Sequence, residues 1–259
     1  MKSRTAPLPA DRERSDPPED PAPEAEQVSS RIHLAKPTVA SLAETTAGIL
    51  RDAIFAGSLK PDSRLREPEI ATMMGISRAP LREALRILAD EQLVVISPYR
   101  GARVVRVTPE DYLQLLAVRG LLEPYAVEHS LAEHREAVLR EIRDVVGEMH
   151  RAAAEGDGPA LASAHTRFHA AFYLNSGNRT MVGLWSRLQS SVHLHLVVHQ
   201  ATYSSLGDLA TGHDDLLAKV EDGDRALIAE ATVDHLNRNV DMLMAALQQQ
   251  RTKAGRTRP

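Results

Sequence analysis

The stretch RLREPEIATMMGISRAPLREALRILADEQLVVISPYRGARVVRV, residues 64–107, decides how the chain is read. Arg64 and Leu65 form a short strand-like entry, followed by a helix over about 67–74, a turn at Gly75 and a second helix over about 78–90. Ser77 suits the N-cap of that second helix. Pro80 still falls in its first turn, where a missing N–H costs little. Two β-rich runs come next, LVVISP (93–98) and RVVRV (103–107), joined by a glycine-containing turn. Helix, tight turn, arginine-bearing helix and hairpin spell a winged helix-turn-helix, a unit built to read double-stranded DNA.

Working outward, SLAETTAGILRDAIFAGSL (41–59) carries a helical stripe at Leu42, Ile49, Leu50 and Ile54, with Gly57 as terminator. Beyond Val107 strand-like alternation is gone. Thr108, Pro109 and Glu110 supply an N-cap, an N1 proline and an acidic first turn for a helix through about 131. Further helices are expected over about 134–154, 158–175, 178–201, 206–221 and 224–248, broken at Gly156-Asp157-Gly158, Ser176-Gly177-Asn178 and Asp222-Gly223-Asp224. The fold class is therefore mainly α: a winged helix-turn-helix over 37–107, then an all-helical antiparallel bundle over 108–248. The proline- and charge-rich residues 1–36 and the polar residues 249–259 bury too little apolar surface to repay ordering and read as disordered tails.

Composition narrows the chemistry. The 259 residues contain no cysteine, which removes disulfides, thiolate nucleophiles and cysteine-ligated metals, so any metal must sit on histidine and carboxylate. No apolar run has the length of a membrane span and the N-terminus lacks an apolar signal core, so the expected location is cytoplasmic, on the nucleoid when DNA is bound. The net charge of −4 is unevenly shared: ten basic residues against eight acidic over 41–107, eleven against twenty over 108–247. A phosphate footprint belongs to a domain rather than to a whole chain, and the basic unit is the winged one.

At the start of the second helix, Arg78 and Arg82 lie four apart on one face, with Ser77 at the end where free backbone donors favour phosphate. Arginine binds guanine bidentately or pairs with phosphate. Taken singly, each arginine is equally a solvated helix charge.

The REPEIA, GISRAPLREAL and RGARV stretches closely resemble the winged helix-turn-helix of GntR-family bacterial transcription regulators, over about residues 41–107. The resemblance implies operator contacts for Arg66, Arg78 and Arg82, a minor-groove approach for Gly101, and binding as a two-fold dimer to a short palindrome. VRGLLEPYA (118–126), TRFHAAF (166–172), SGN (176–178), His213 in GHDDLL and His235 in DHL resemble the FCD effector-binding domain of the FadR-like branch, over about 112–247.

His165 and His169, at i and i+4 in SAHTRFHAAF, share one helix face and can meet one divalent ion. By itself such a pair is as often a coincidence, and the chain has 11 histidines. A zincin-like hydrolase is not supported, because Thr166 stands where the general-base glutamate belongs. The family's FCD metal site, an aspartate and three histidines, carries over onto His165, His169, His213 and His235, with His165 where aspartate is usual. Imidazole suits zinc or nickel, so either His165 coordinates with one less negative charge, or it stands aside and leaves three histidines. Of the cluster His193, His195 and His199, one or two are expected to line the bundle cavity beside the metal, His195 touching an effector. Arg119 is either a carboxylate anchor for that effector or the intrahelical partner of Glu123.

These readings converge on a non-enzymatic, dimeric DNA-binding regulator, a repressor by the habit of the family, that responds to a small carboxylate metabolite at a divalent-metal site. Two alternatives stand beside it: a constitutive DNA-binding protein whose histidine metal site is purely structural, and a metal-dependent hydrolase with a DNA-targeting module.

Overall fold

A computed structural model describes residues 38–199 and 205–256. The expected disorder of residues 1–36 lies outside the described residues. The winged unit consists of α1 (Thr38–Phe55), β1 (Arg64–Leu65), α2 (Glu67–Met74), α3 (Arg78–Asp90), β2 (Val94–Ser97) and β3 (Gly101–Val104). The helical half comprises α4 (Pro109–Glu155), α5 (Gly158–Leu174), α6 (Arg179–His199), α7 (Leu206–Asp222) and α8 (Arg225–Arg256).

In α3, Leu81, Ala84, Leu85 and Leu88 recur at helical spacing and are buried against Leu50 and Ile54 of α1. That packing leaves Arg78, Arg82 and Arg86 on the solvent face. Gly75 ends α2 in the left-handed region (φ 65°), the conformation that lets the chain turn sharply into α3. The antiparallel sheet has the order β1-β3-β2, with Ser97 opposite Gly101 and Leu65 opposite Ala102. The second wing strand therefore begins at Gly101, two residues before the β-rich run suggests. Gly101 takes φ 78° as the hairpin closes, which leaves Tyr99 fully exposed at the wing tip.

Thr108 and Asp111 close a reciprocal capping box at the head of α4. The two helices expected over 109–131 and 134–154 are one 47-residue element, kinked where His134 leaves helical geometry (φ −138°, ψ 35°). No loop is needed there, because the kink alone redirects the chain. Just past it Arg135 donates to the Val220 and Glu221 carbonyls (3.1 and 2.9 Å), satisfying the open end of α7. At the other limit α8 runs to Arg256, so residues 249–256, expected to belong to a disordered tail, are helical; Gln, Arg, Lys and Ala in that stretch are good helix formers and outweigh Thr252 and Gly255.

The bundle core gathers Val138, Ile142 and Met149 of α4, Leu161, Phe168 and Phe172 of α5 and Trp185 of α6. From Thr38 on the chain packs as one unit, and Leu194 of α6 is buried among the side chains of the winged unit's own core.

Replacing Gly75 with alanine forces a Cβ into the left-handed region, so Gly75→Ala is expected to lower stability by about 1 kcal/mol in urea denaturation. An unchanged midpoint would show that the turn has another way to close.

Candidate metal site and DNA-reading surface

His165 and His169 come from α5, His213 from α7 and His235 from α8, and all four side chains are buried. Ring centroids lie 4.7 Å apart for His165 and His169, 5.0 Å for His165 and His213, and 4.4 Å for His213 and His235. One nitrogen from each of His165, His169 and His213 falls within 4.8 Å of the others, while His235 joins through its ring contacts with His213 and His169.

The outer edges of three rings are held. His169 Nδ1 donates to Glu123 in a short contact, His213 Nδ1 to the Leu209 carbonyl at 2.7 Å, and His235 Nδ1 to the Gly212 carbonyl at 3.2 Å. These acceptors fix the tautomers, with the proton on Nδ1 and a lone pair on each inward Nε2. The Nε2 atoms of His169 and His213 then face each other at 3.5 Å with no proton between them. Buried Nδ1 of His165 and Nε2 of His235 have no hydrogen-bond partner among the described residues. Opposed buried lone pairs repel, and a cation between them turns the repulsion into ligation. The donor set thus fits a divalent ion that prefers nitrogen.

Burial is the main cause of the low basicity of all four imidazoles. It holds His165, His169 and His235 well below the usual histidine range and His213 down to about 4; Arg119 pushes all four the same way, neighbouring imidazoles add to it at His165, His169 and His235, and the Leu209 carbonyl and Glu123 oppose it at His213. A neutral imidazole is the form that binds metal.

Glu123 is the residue that sequence reasoning treated only as a partner for Arg119. Its carboxylate, fully buried, accepts from Arg119 Nε (3.0 Å) and Nη2 (3.3 Å) and from His169. Of the two readings of Arg119, the structure holds the intrahelical pair: its fork is engaged by Glu123. Carboxylate, histidine and ion in line is a common way to orient a ligand and raise its basicity. The i, i+4 spacing of Arg119 and Glu123 was legible; that the same carboxylate reaches His169 on another helix was not. Tyr173, one turn beyond His169, is also near this pair, and burial and then Glu123 keep its hydroxyl protonated.

His195 stacks on Tyr112 (5.1 Å) and lines a groove with Val107, Asp111 and Gln114, where the winged unit joins α4. His193, two residues away and so on a different side of α6, meets Phe55 and Thr166 instead. The His199 side chain lies outside the described residues.

On the winged unit, Arg66, Ser77, Arg78, Arg82 and Gly101 are all exposed. Ser77 is the N-cap residue of α3, and its hydroxyl makes no capping bond. Arg66 and Gly101 line one surface groove of about 350 Å³. Arg66 pairs with Glu69 and Arg82 with Glu67, each at 2.8 Å. Such exposed pairs contribute about 0–1 kcal/mol, so the guanidiniums are readily recruited to phosphate or base edges.

The pattern for bacterial regulatory proteins of the gntR family matches residues 42–104, and the FCD domain pattern matches residues 114–238. The chain belongs to the GntR family of transcriptional regulators and carries an FCD domain. It is 29% identical over 199 residues to a Paenarthrobacter nicotinovorans protein described as a "Probable D-xylose utilization operon transcriptional repressor", covering 74% of this chain and 86% of that one. It is 23% identical to the gluconate operon transcriptional repressor of Bacillus subtilis, covering 74% and 79% respectively. A GntR regulator structure from Rhodococcus sp. RHA1 superposes with a TM-score of 0.65 at 25% identity, over 80% of this chain and 98% of that one. These families and relatives are regulators, not enzymes, and the hydrolase alternative is set aside. Among the described residues no helix is long and apolar enough to cross a membrane.

Two outcomes are expected. Glu123→Gln weakens zinc binding by roughly 10–100-fold in a chelator competition, and adding Arg119→Met recovers the stability lost with the orphaned guanidinium but not the affinity. A zinc affinity equal to wild type would refute the positioning role of Glu123. Separately, His213 and His193 are each held at about 4 against an ordinary 6.5, so between those values the unfolded chain binds more protons than the folded one. Stability of the chelator-treated protein therefore rises with pH through that window and levels off above it. The urea midpoint is expected to fall from pH 7 to pH 5.

Proposed function

We propose that this regulator acts as a homodimer on a palindromic operator, each winged unit reading one half-site, and that a small carboxylate metabolite at a divalent-metal site in the helical half governs the binding. The observation that carries the reading is the pair of Nε2 lone pairs, on His169 and His213, facing each other 3.5 Å apart inside the bundle. His165, His169, His213 and His235 would hold the ion, and their all-imidazole chemistry favours zinc or nickel over oxygen-loving metals. When bound, such an ion offers open positions to a carboxylate or hydroxy-carboxylate. Glu123 holds the His169 ring in register, and the surrounding apolar side chains exclude water. On the DNA side, Arg78 and Arg82 exchange their solvent or glutamate partners for base edges and phosphate, while Arg66 and the wing at Gly101 grip beside them. The protein works in the cytoplasm, on the nucleoid when its operator is occupied.

Two relatives are named as a probable repressor of a D-xylose utilization operon and a repressor of a gluconate operon, which favours repression as the direction of control. Gluconate is a hydroxy-carboxylate of the class proposed; D-xylose is not. A second reading keeps the ion as a staple between α5, α7 and α8 in a constitutive DNA binder; the pairing of Arg119 with Glu123 through Nε and Nη2 favours it, since that edge of the fork is already committed inside the protein.

The deciding experiment joins elemental analysis of the purified protein to gel shifts on DNA upstream of its own gene, with gluconate, citrate and lactate as probes. Bound zinc or nickel, and an acid that changes DNA affinity only in metal-loaded protein, are expected. Arg78→Ala and Arg82→Ala should each weaken DNA binding by about 1–3 kcal/mol, roughly 5- to 150-fold. Metal that raises the melting temperature while no acid alters DNA binding would favour the staple. Protein that carries no divalent ion and takes up none would refute both.

A further inference from the structure

Helix α6 meets the winged unit through a single face. Ser190, His193 and Leu194 fall at i, i+3 and i+4, and each meets the winged unit. Ser190 Oγ donates to Glu91 Oε2 at 2.9 Å, the His193 ring packs on Phe55 with centroids 4.0 Å apart, and Leu194 is buried in the winged core. Glu91 is no ordinary surface acid. It caps the C-terminus of α3, the helix that carries Arg78 and Arg82, and it also receives Arg51 of α1 through Nε (2.7 Å) and Nη2 (2.5 Å). One carboxylate thus ties together α1, α3 and α6.

The same helix is fastened to α5, which carries His165 and His169. Thr166, the residue after His165, donates its hydroxyl to the Ala162 carbonyl at 2.9 Å, which leaves its oxygen to accept from His193 Nδ1 at 3.3 Å. One turn beyond His169, Tyr173 stacks on Trp185 of α6 with centroids 4.7 Å apart and planes 24° apart. His193 therefore has Thr166 on one side and Phe55 on the other.

We propose that α6 is the transmission element of this regulator, with Ser190 and His193 as positioning residues that set α1 and the C-terminal end of α3 according to the state of the histidine cluster. The inference rests on the metal-site reading above. A displacement of α5 that accompanies ligation at His165 carries Thr166 with it, and the His193 ring, held between Thr166 and Phe55, passes the motion to α1. Hydroxyl contacts near 3 Å tolerate little movement, so a shift of one ångström at Ser190 breaks its bond to Glu91 and loosens the end of α3. Packed helices switch between discrete arrangements rather than deform smoothly, which lets a small displacement count.

The test uses the full-length protein and zinc alone, followed by hydrogen exchange of peptides covering 47–57 and 85–93, with zinc affinity measured in parallel by chelator competition. In wild type, zinc is expected to change exchange in both peptides by about 5-fold or more, the lower end of ordinary allosteric coupling. His193→Phe keeps a ring against Phe55 but loses the bond to Thr166; Thr166→Val cuts that bond from the other side; Ser190→Ala frees Glu91. Each variant should bind zinc as wild type does while its zinc-dependent change at 47–57 or 85–93 falls to less than half. A merely structural role would raise exchange with and without zinc alike and leave the ratio intact, which would overturn the proposal. So would wild-type protein that binds zinc without any change at α1 and α3. If wild type fails to bind zinc, the metal-site reading falls first and this inference with it.

Discussion

An imidazole nitrogen buried away from water needs a partner, and the helical half of this chain is arranged around that need. Three of the four clustered histidines give their outer N–H to an acceptor on a neighbouring turn or helix, the Leu209 carbonyl, the Gly212 carbonyl and Glu123. Each bond turns the opposite nitrogen inward as a lone pair. The bundle thereby concentrates electron pairs in its buried interior, an arrangement that costs folding free energy unless a cation or another donor lies among them. Glu123 carries the greatest share, since its carboxylate must satisfy Arg119 and orient His169 at once. Neither charge would be tolerable there alone, because an unpaired buried ion costs several kcal/mol.

The winged half obeys the opposite logic. Its arginines Arg66 and Arg82 are exposed and weakly paired, an arrangement that suits their surrender to DNA on the reading proposed above. The apolar face of α3 anchors the helix with Leu81, Leu85 and Leu88, so that Arg78 and Arg82 are placed by packing they take no part in. Rigid placement of loosely held cations is what a reader of base edges requires. Where the two halves meet, Glu91 combines both styles: half-buried, bound to Arg51 and Ser190, and attached to the end of the reading helix.

Much of this was written locally. The limits of α2 and α3 follow from Glu67-Pro68, Gly75 and Ser77, whose backbone preferences act within a few residues of themselves. The cap at Thr108 and the breaks at Gly156, Gly177 and Gly223 are of the same kind. The break expected between 131 and 134 is present, but as a kink at His134 rather than a loop; the sequence there offers neither glycine nor a cap, and Arg135, just past it, reaches the end of α7, some 85 residues on. The histidine cluster was half legible. His165 and His169 share a face by spacing, but nothing local joins them to His213 and His235, and only the family resemblance brought those two in. The stacking of His195 on Tyr112 was not legible for a related reason: periodicity says which residues of a helix share a side, not which neighbour that side will meet.

By the family resemblance His165 stands where an aspartate is expected, and the structure gives that exchange a consequence on the reading proposed above. An aspartate ligand would cancel one of the two charges of a divalent ion; an imidazole cancels none. Glu123 cannot compensate, for its charge is already answered by Arg119, so the cluster and its surroundings would leave the ion's charge unneutralised in a low-dielectric interior. Such a centre is costly to fill and correspondingly eager for an anion. The loss of the aspartate therefore does not weaken the case for a carboxylate effector. It moves the negative charge that the site requires from the protein to the ligand, which makes occupancy by metal and by acid mutually reinforcing and gives a regulator a sharper distinction between its empty and occupied states.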